Sequence, residues 1–408
     1  MTIATKPSAS GLLRIEWADG QMPVLRSIRE RFARERPLEG LTVGLCLHVT
    51  SETGCLVRAL AAGGASVALC ASNPYATQHD VAAALSDEVE VHTGGPDDWA
   101  DSVAAVAARA PRITLDDGAD LLSALHAVPE LLDGMLGGTE ETTTGLVRLR
   151  AMEAEGRLAV PVIAVNEARA EKALNDRFGT GQSVLDGILR ATNILLAGQT
   201  VVVLGYGWTG RGVALAAHGL GASVIVCEVD PLRALEARME GFSVMPASVA
   251  AERGDVFITV TGGQDVLRGE HFVRMKDGAV LANAGHFDVE ISLPDLRGAA
   301  VEVREVLPLV RQYDLGDRRL NLLAGGRVVN LAAADGHPAA VMDVSFALQA
   351  LAAEALATGS FTPGVHPVPD GIEREVAALK LAALGVEIDE LTPAQVAYRS
   401  LTSPPLDR

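Results

Sequence analysis

The run Val201-Val-Val-Leu-Gly-Tyr-Gly-Trp-Thr-Gly-Arg-Gly212 narrows the folds open to this 408-residue chain more than any other segment. Val201 to Leu204 is a short β-branched apolar stretch, suited to a strand buried on both faces. Gly205 and Gly207 permit a tight turn and bring bare backbone up to a ligand, and Gly210 lets the following helix lie close to the strand. The first turn of that helix offers free N–H groups and the positive end of its dipole, a seat for phosphate. A second apolar run, Ala222 to Cys227, ends at Glu228, 21 residues beyond Gly207. A carboxylate there accepts from a ribose 2′-hydroxyl and repels a 2′-phosphate, so the pattern predicts NAD rather than NADP.

Before this fingerprint, apolar runs at 41–49, 65–70, 112–116 and 160–165 alternate with helical patterns near 53–63, 79–86, 100–109 and 146–156. After it, runs at 256–260, 279–282 and 301–303 continue a second sheet, and an alanine-rich helical pattern follows over 341–357. Such alternation predicts an α/β protein with two Rossmann-like doubly wound domains, one for substrate and one for NAD, and a short C-terminal extension. The expected boundaries are 1–181 for the substrate-binding domain, completed by about 338–370, then 182–337 for the NAD-binding domain and 371–408 for the extension.

A net charge of −18 disfavours a nucleic-acid partner or an anionic membrane, and no segment is read as reaching membrane-spanning length. The four cysteines lack metal-like spacing and most lie in apolar runs, so neither a metal site nor a disulfide framework is expected, and a reducing cytoplasm fits.

Polar clusters fall where strands are expected to end, the ligand-binding rim of open α/β sheets. They are His48 and Thr50, Asp116-Asp117-Gly118, Glu140-Glu-Thr-Thr-Thr-Gly145 in an expected loop, Asn166 with Glu171, Lys172, Asn175 and Asp176, Asn283-Ala-Gly-His286, and Asn330 before Asp335-Gly-His337. Singly, each has an ordinary structural explanation as a cap, turn or solvated pair.

Taken together, His48-Val-Thr50, Asn73 to Gln78, Leu115 to Asp120, Glu140 to Gly145, Gly205-Tyr-Gly, Gly285 to Glu290 and Gly336-His-Pro338 make the chain resemble the S-adenosylhomocysteine hydrolase family over nearly its whole length. The resemblance implies a borrowed NAD that transiently oxidises a ribose 3′-hydroxyl. Loss of the C4′ proton, β-elimination of the 5′ substituent, addition of water and reduction of the ketone then follow. It implies that His48 and Asp117 act as an acid/base pair near C4′ and C5′, that Glu141 binds ribose hydroxyls, and that His286 lies near the leaving group. Thr50, Glu52 and His337 would line the nucleoside site, while Thr142, Thr143, Thr144, Glu228, Asn283 and Asn330 would join Gly205, Gly207 and Gly210 around the cofactor. It further implies a small nucleoside substrate, a place in one-carbon metabolism and a homodimer or homotetramer.

The chain departs from the family at its redox centre. Glu171 occupies the position of the family's lysine, and Asn175-Asp176 reverses the family's Asp-Asn order. Lys172 is one residue away and serves only if the backbone shifts. Glu171 and Asn175 are therefore taken as catalytic and Asp176 as substrate-binding. Asp335, His79, Thr180 and Arg211 also differ from the family pattern, and its Lys/Tyr-bearing C-terminal tail is expected to be absent. These changes favour an elimination-type variant, a lyase or dehydratase of nucleoside secondary metabolism. The alternatives are an authentic S-adenosyl-L-homocysteine hydrolase and a non-catalytic NAD-binding paralogue.

Overall fold

The computed structural model describes residues 7–399; the final Pro404-Pro-Leu-Asp-Arg408, where a shortened tail is expected, lies outside them. The first strands in the chain are β1 (Thr42–Leu47), β2 (Ser66–Ala71), β3 (Glu90–His92), β4 (Ile113–Asp116), β5 (Gly137–Glu140) and β6 (Pro161–Ala164). A second series follows: β7 (Thr200–Leu204), β8 (Ser223–Cys227), β9 (Ser243–Val244), β10 (Val256–Thr259), β11 (Val280–Asn283), β12 (Glu302–Leu307), β13 (Val310–Asp314) and β14 (Arg319–Leu323). A last strand, β15 (Gly364–Pro367), returns to the first series.

The first sheet has the order β15-β6-β5-β4-β1-β2-β3 and the second β12-β13-β14-β11-β10-β7-β8-β9. Every pairing is parallel except β12 with β13 and β13 with β14. In the first sheet β1 pairs with both β2 and β4, and in the second β7 pairs with both β8 and β10. At these two points the strand order reverses, opening a crevice at the strands' carboxyl ends. Alternation along each strand feeds a core on either face: Val201 and Val203 enter one cluster, Val202 and Leu204 the other. The doubly wound α/β class is as the sequence predicts.

Several elements differ from the expectation. The helices Pro7–Gly20 and Pro23–Glu35 and the strands β3, β5, β9, β13 and β14 have no counterpart in the sequence pattern. Glu140, placed in a loop from sequence, is the last residue of β5. That strand begins with two glycines, which carry no strand propensity. Packing explains both: a Cβ on Gly137 would meet Pro161 O, and one on Gly138 would meet Thr114 Oγ1, each at 2.5 Å.

The helix Ala339–Thr358 corrects another expectation. It is 20 residues long and apolar enough to cross a membrane, although the sequence pattern suggests no such segment. Most of it is buried, and it packs against β4 and β5 as a core helix. Its Asp343, fully buried, accepts from the N–H groups of Val24 and Leu25 and pairs with Lys380 at 2.8 Å. That one carboxylate joins an early helix, a late helix and the central one.

Between the sheets, the helix Trp208–Gly219 crosses the segment Glu171–Gly179 so closely that a Cβ on Gly212 would lie 1.8 Å from Arg177 O. Gly212→Ala should cost about 1–3 kcal/mol through overpacking, read as a lower thermal midpoint in circular dichroism. An unchanged midpoint would show that the two helices have room to separate.

Candidate active site

A cavity of about 820 Å³ lies where the carboxyl ends of the two sheets face each other. His48, Thr50, Glu52, Asp117, Glu141, Thr142, Thr143, Thr144, Glu171, Asn175, Asp176, Gly207, His286, Asn330 and His337 all line it, drawn from segments far apart in sequence. Gly205, Gly210, Glu228 and Asn283 are not part of that wall.

His48 follows β1 and Asp117 follows β4, the strands on either side of the first reversal point. Asp117 N–H donates to Cys46 O, which fixes the loop, and His48 Nε2 lies 3.1 Å from Asp117 Oδ2. Burial holds the His48 imidazole below its ordinary value, favouring the neutral ring. With Nε2–H donating to Asp117, Nδ1 presents a bare lone pair, and that buried atom has no protein partner. The arrangement suits a general base.

The paired acids at the end of β5 divide their work. Glu140 turns inward, and its Oε1 accepts from the N–H groups of Gly118 (3.0 Å) and Thr142 (2.9 Å). It thus binds the Asp117 loop to the threonine run. Glu141 faces the cavity, and burial together with the neighbouring Asp117 and Glu171 pushes its carboxyl well above the usual range. Thr143 Oγ1 donates to Asn166 Oδ1 at 2.8 Å, while Thr144 Oγ1 is buried without a partner.

The segment Glu171–Gly179 is a π-helix. Its i→i+5 bonds make the turn wider than that of an α-helix. Residues 171, 172, 175 and 176 all reach the cavity wall. Lys172 Nζ donates to Asn166 Oδ1 at 2.8 Å and pairs with Asp176 Oδ2 at 3.1 Å. Glu171 is only 2% exposed, its Oε2 accepts from Ser345 Oγ at 2.7 Å, and burial pushes its carboxyl up to about 8. From sequence alone, Glu171 and Lys172 compete to replace one lysine. The structure places both in the same cavity, as a buried acid beside a paired cation.

At the far end, burial raises the Glu52 carboxyl and depresses His337 to about 4, keeping that ring neutral beside Thr180 Oγ1 at 3.0 Å. His286 follows β11 with its ring edge-on to Phe287. Asn283 is fully engaged: the two protons of its amide are shared among the carbonyls of Gly285, Phe287 and Gly326, and its oxygen accepts from Gly285 N–H and Thr259. It braces the His286 loop from behind. Sequence reasoning misses Ser345 and Gln349, whose signal is two polar residues four apart in a mostly apolar helix.

The fingerprint forms a usable cradle. Gly205 has φ +105°, and a Cβ there would meet Val260 O at 2.7 Å; one on Gly210 would meet Gly205 O at 2.1 Å. Gly207 is open to the cavity at the start of the helix Trp208–Gly219. Glu228 accepts from the N–H groups of Tyr206, Val229 and Asp230, holding its carboxylate beside the glycine turn. Asn330 Oδ1 and Thr144 Oγ1, both buried without partners, belong to cavity-lining residues and await a polar ligand. These groups fit a dinucleotide. Glu228→Gln removes the charge that repels a 2′-phosphate and keeps one of the two oxygens that accept from the turn. The affinity ratio of NADP to NAD should rise about tenfold in calorimetric titration, as befits roughly 1.4 kcal/mol; an unchanged ratio would take Glu228 out of cofactor selection.

The two reversal points facing one polar cavity define a two-domain α/β enzyme built around a dinucleotide. Residues 176–336 match the family model described as S-adenosyl-L-homocysteine hydrolase, NAD binding domain, and residues 5–130 that described as S-adenosyl-L-homocysteine hydrolase. The chain belongs to the S-adenosyl-L-homocysteine hydrolase family, and NAD is its cofactor. It is 56% identical to adenosylhomocysteinase of Aquifex aeolicus, over 96% of each chain. It is 53% identical to S-inosyl-L-homocysteine hydrolase of Methanosarcina acetivorans, over 95% of this chain and 96% of that one. Among solved structures, a dipicolinate synthase chain from Bacillus halodurans aligns over 79% of this protein and 99% of its own length, with a TM-score of 0.51 at 15% identity, a likeness of fold alone.

Proposed function

We propose that this enzyme hydrolyses the thioether of S-adenosyl-L-homocysteine to adenosine and homocysteine. The observation that carries this reading is the convergence of His48–Asp117, Glu141 and the 171–176 cluster on one cavity beside the cofactor cradle. Close likeness to both an adenosylhomocysteinase and an S-inosyl-L-homocysteine hydrolase supports hydrolysis over the elimination-only outcome that the altered segment suggests.

Gly207, Thr142, Thr143, Thr144, Asn330 and, through the turn, Glu228 would hold NAD. When bound, it supplies reversible oxidation of a ribose hydroxyl, which acidifies the adjacent C–H. Glu171 Oε1 accepts the hydroxyl proton, and Lys172 alongside, paired with Asp176, eases ionisation of Glu171. Glu141 orients the ribose hydroxyls. His48 Nδ1 takes the C4′ proton and passes it to the departing sulfur near His286; water then adds across the 4′,5′ double bond, its hydroxyl to C5′ and its proton to C4′, which makes the outcome a hydrolysis. Glu52 accepts from an exocyclic amine, which favours adenine; a hypoxanthine oxygen would need that acid protonated.

The test is release of free thiol from S-adenosyl- and S-inosyl-homocysteine by the NAD-loaded protein. Thiol and adenosine at ordinary enzymatic rates, faster than with the inosyl compound, are expected. A 4′,5′-unsaturated nucleoside accumulating in place of adenosine would favour the lyase instead. NAD bound with neither thioether consumed would favour the non-catalytic reading.

A further inference from the structure

The two cavity acids are each held by one side chain of the same helix. In Ala339–Thr358, Ser345 and Gln349 stand four residues apart on one face, and both are fully buried. Ser345 Oγ lies 2.7 Å from Glu171 Oε2 and 2.8 Å from Asn175 Nδ2. An amide nitrogen only donates, so the hydroxyl accepts from Asn175 and its single proton goes to Glu171. Gln349 repeats the logic: Thr139 Oγ1 donates to its oxygen, which turns its Nε2 toward Glu141 Oε2 at 3.1 Å. Each acid therefore has one oxygen pinned by a donor. The other, Oε1 in both, makes no hydrogen bond to the described residues, although both acids line the cavity.

We infer that Ser345 and Gln349 are positioning residues that aim Glu171 Oε1 and Glu141 Oε1 at the reacting ribose and ease the release of each acid's proton. A buried carboxyl that accepts a hydrogen bond ionises more readily than one that does not. The helix thus eases ionisation of two acids that repel each other when both are charged. The other charged groups facing Glu171 are Asp176 and Lys172, on its own turn; Glu141 faces Asp117 and Glu171. Asp343, on the same helix, is occupied by Val24, Leu25 and Lys380.

The inference rests on the proposed roles of Glu141 and Glu171, but its test needs no substrate. The carboxyl stretches of both acids are followed against pH by difference infrared spectroscopy on the NAD-loaded protein, and Glu171→Gln and Glu141→Gln identify the bands. Ser345→Ala should raise the Glu171 midpoint by about one pH unit, the loss of one hydrogen bond to a charged group. Ser345→Thr, which keeps the hydroxyl, should restore it. If the alanine variant does not fold, Ser345→Cys, a weak donor of similar size, should give a smaller rise in the same direction. Gln349→Leu should raise the Glu141 midpoint without raising that of Glu171. A Glu171 midpoint that stays put in folded Ser345→Ala, or a Glu141 midpoint that stays put in Gln349→Leu, would overturn the inference. Failure of thiol release by the wild type would instead strike at the proposed reaction and leave these midpoints as they are.

Discussion

Glu171→Gln should lower turnover by about 10²–10⁴-fold, the range for removing a positioned acid or base. Glutamine keeps the shape of the side chain, and its amide oxygen can still accept from Ser345, so the π-helix and the cavity should survive. What disappears is the ability to accept a proton. The wild-type profile should carry a limb associated with Glu171: the carboxylate is the working form, and burial pushes its pKa up to about 8. Activity should accordingly rise as pH increases through about 8, where half of the group is ionised, and level above that. In the glutamine variant that limb should be missing and substrate should no longer reduce the bound cofactor, which absorbance reports directly. Cofactor reduction at the wild-type rate would remove Glu171 from the oxidation step.

His48→Asn should cause a loss of similar size, again about 10²–10⁴-fold, but at a later point. Asparagine's amide overlays Nδ1 rather than Nε2, so the contact to Asp117 goes with the base, and no basic lone pair remains at the working position. Ribose oxidation should continue, so the reduced-cofactor signal should appear on adding substrate. Exchange of the C4′ proton with deuterium oxide should stop. The pair of variants thus separates two steps that share one cavity: Glu171→Gln blocks both signals, whereas His48→Asn blocks only exchange. Unimpaired exchange in His48→Asn would assign the C4′ proton to another base.

The parts of this molecule that are legible in its sequence share a physical cause. β7 and β8 are buried on both faces and so read as plain apolar runs, and Gly205 and Gly210 stand where any side chain would collide with backbone. Local rules suffice there. β5 escapes because Gly138 answers to Thr114 on a neighbouring strand, a constraint written across the sheet. The catalytic segment is half legible. Residue types at 171, 172, 175 and 176 announce a change of chemistry, but no local pattern shows that a π-turn brings all four to one wall. Ser345 and Gln349 are hidden for a related reason: their partners lie 174 and 208 residues away, beyond the reach of periodicity.

The first sheet is finished by the last of its strands. β15 pairs with β6, and the helix Ala339–Thr358 covers β4 and β5, yet all of the second sheet is encoded in between. Synthesis runs in one direction, so the half begun first is completed last. While the ribosome is making β7 to β14, the free edge of β6 and the apolar face of β4 and β5 that awaits the central helix stand uncovered. The cofactor half has every strand of its sheet by then and can settle early. Nascent chains of this architecture thus pass through a long interval with one finished lobe and one unfinished, the interval in which holding chaperones have most to offer.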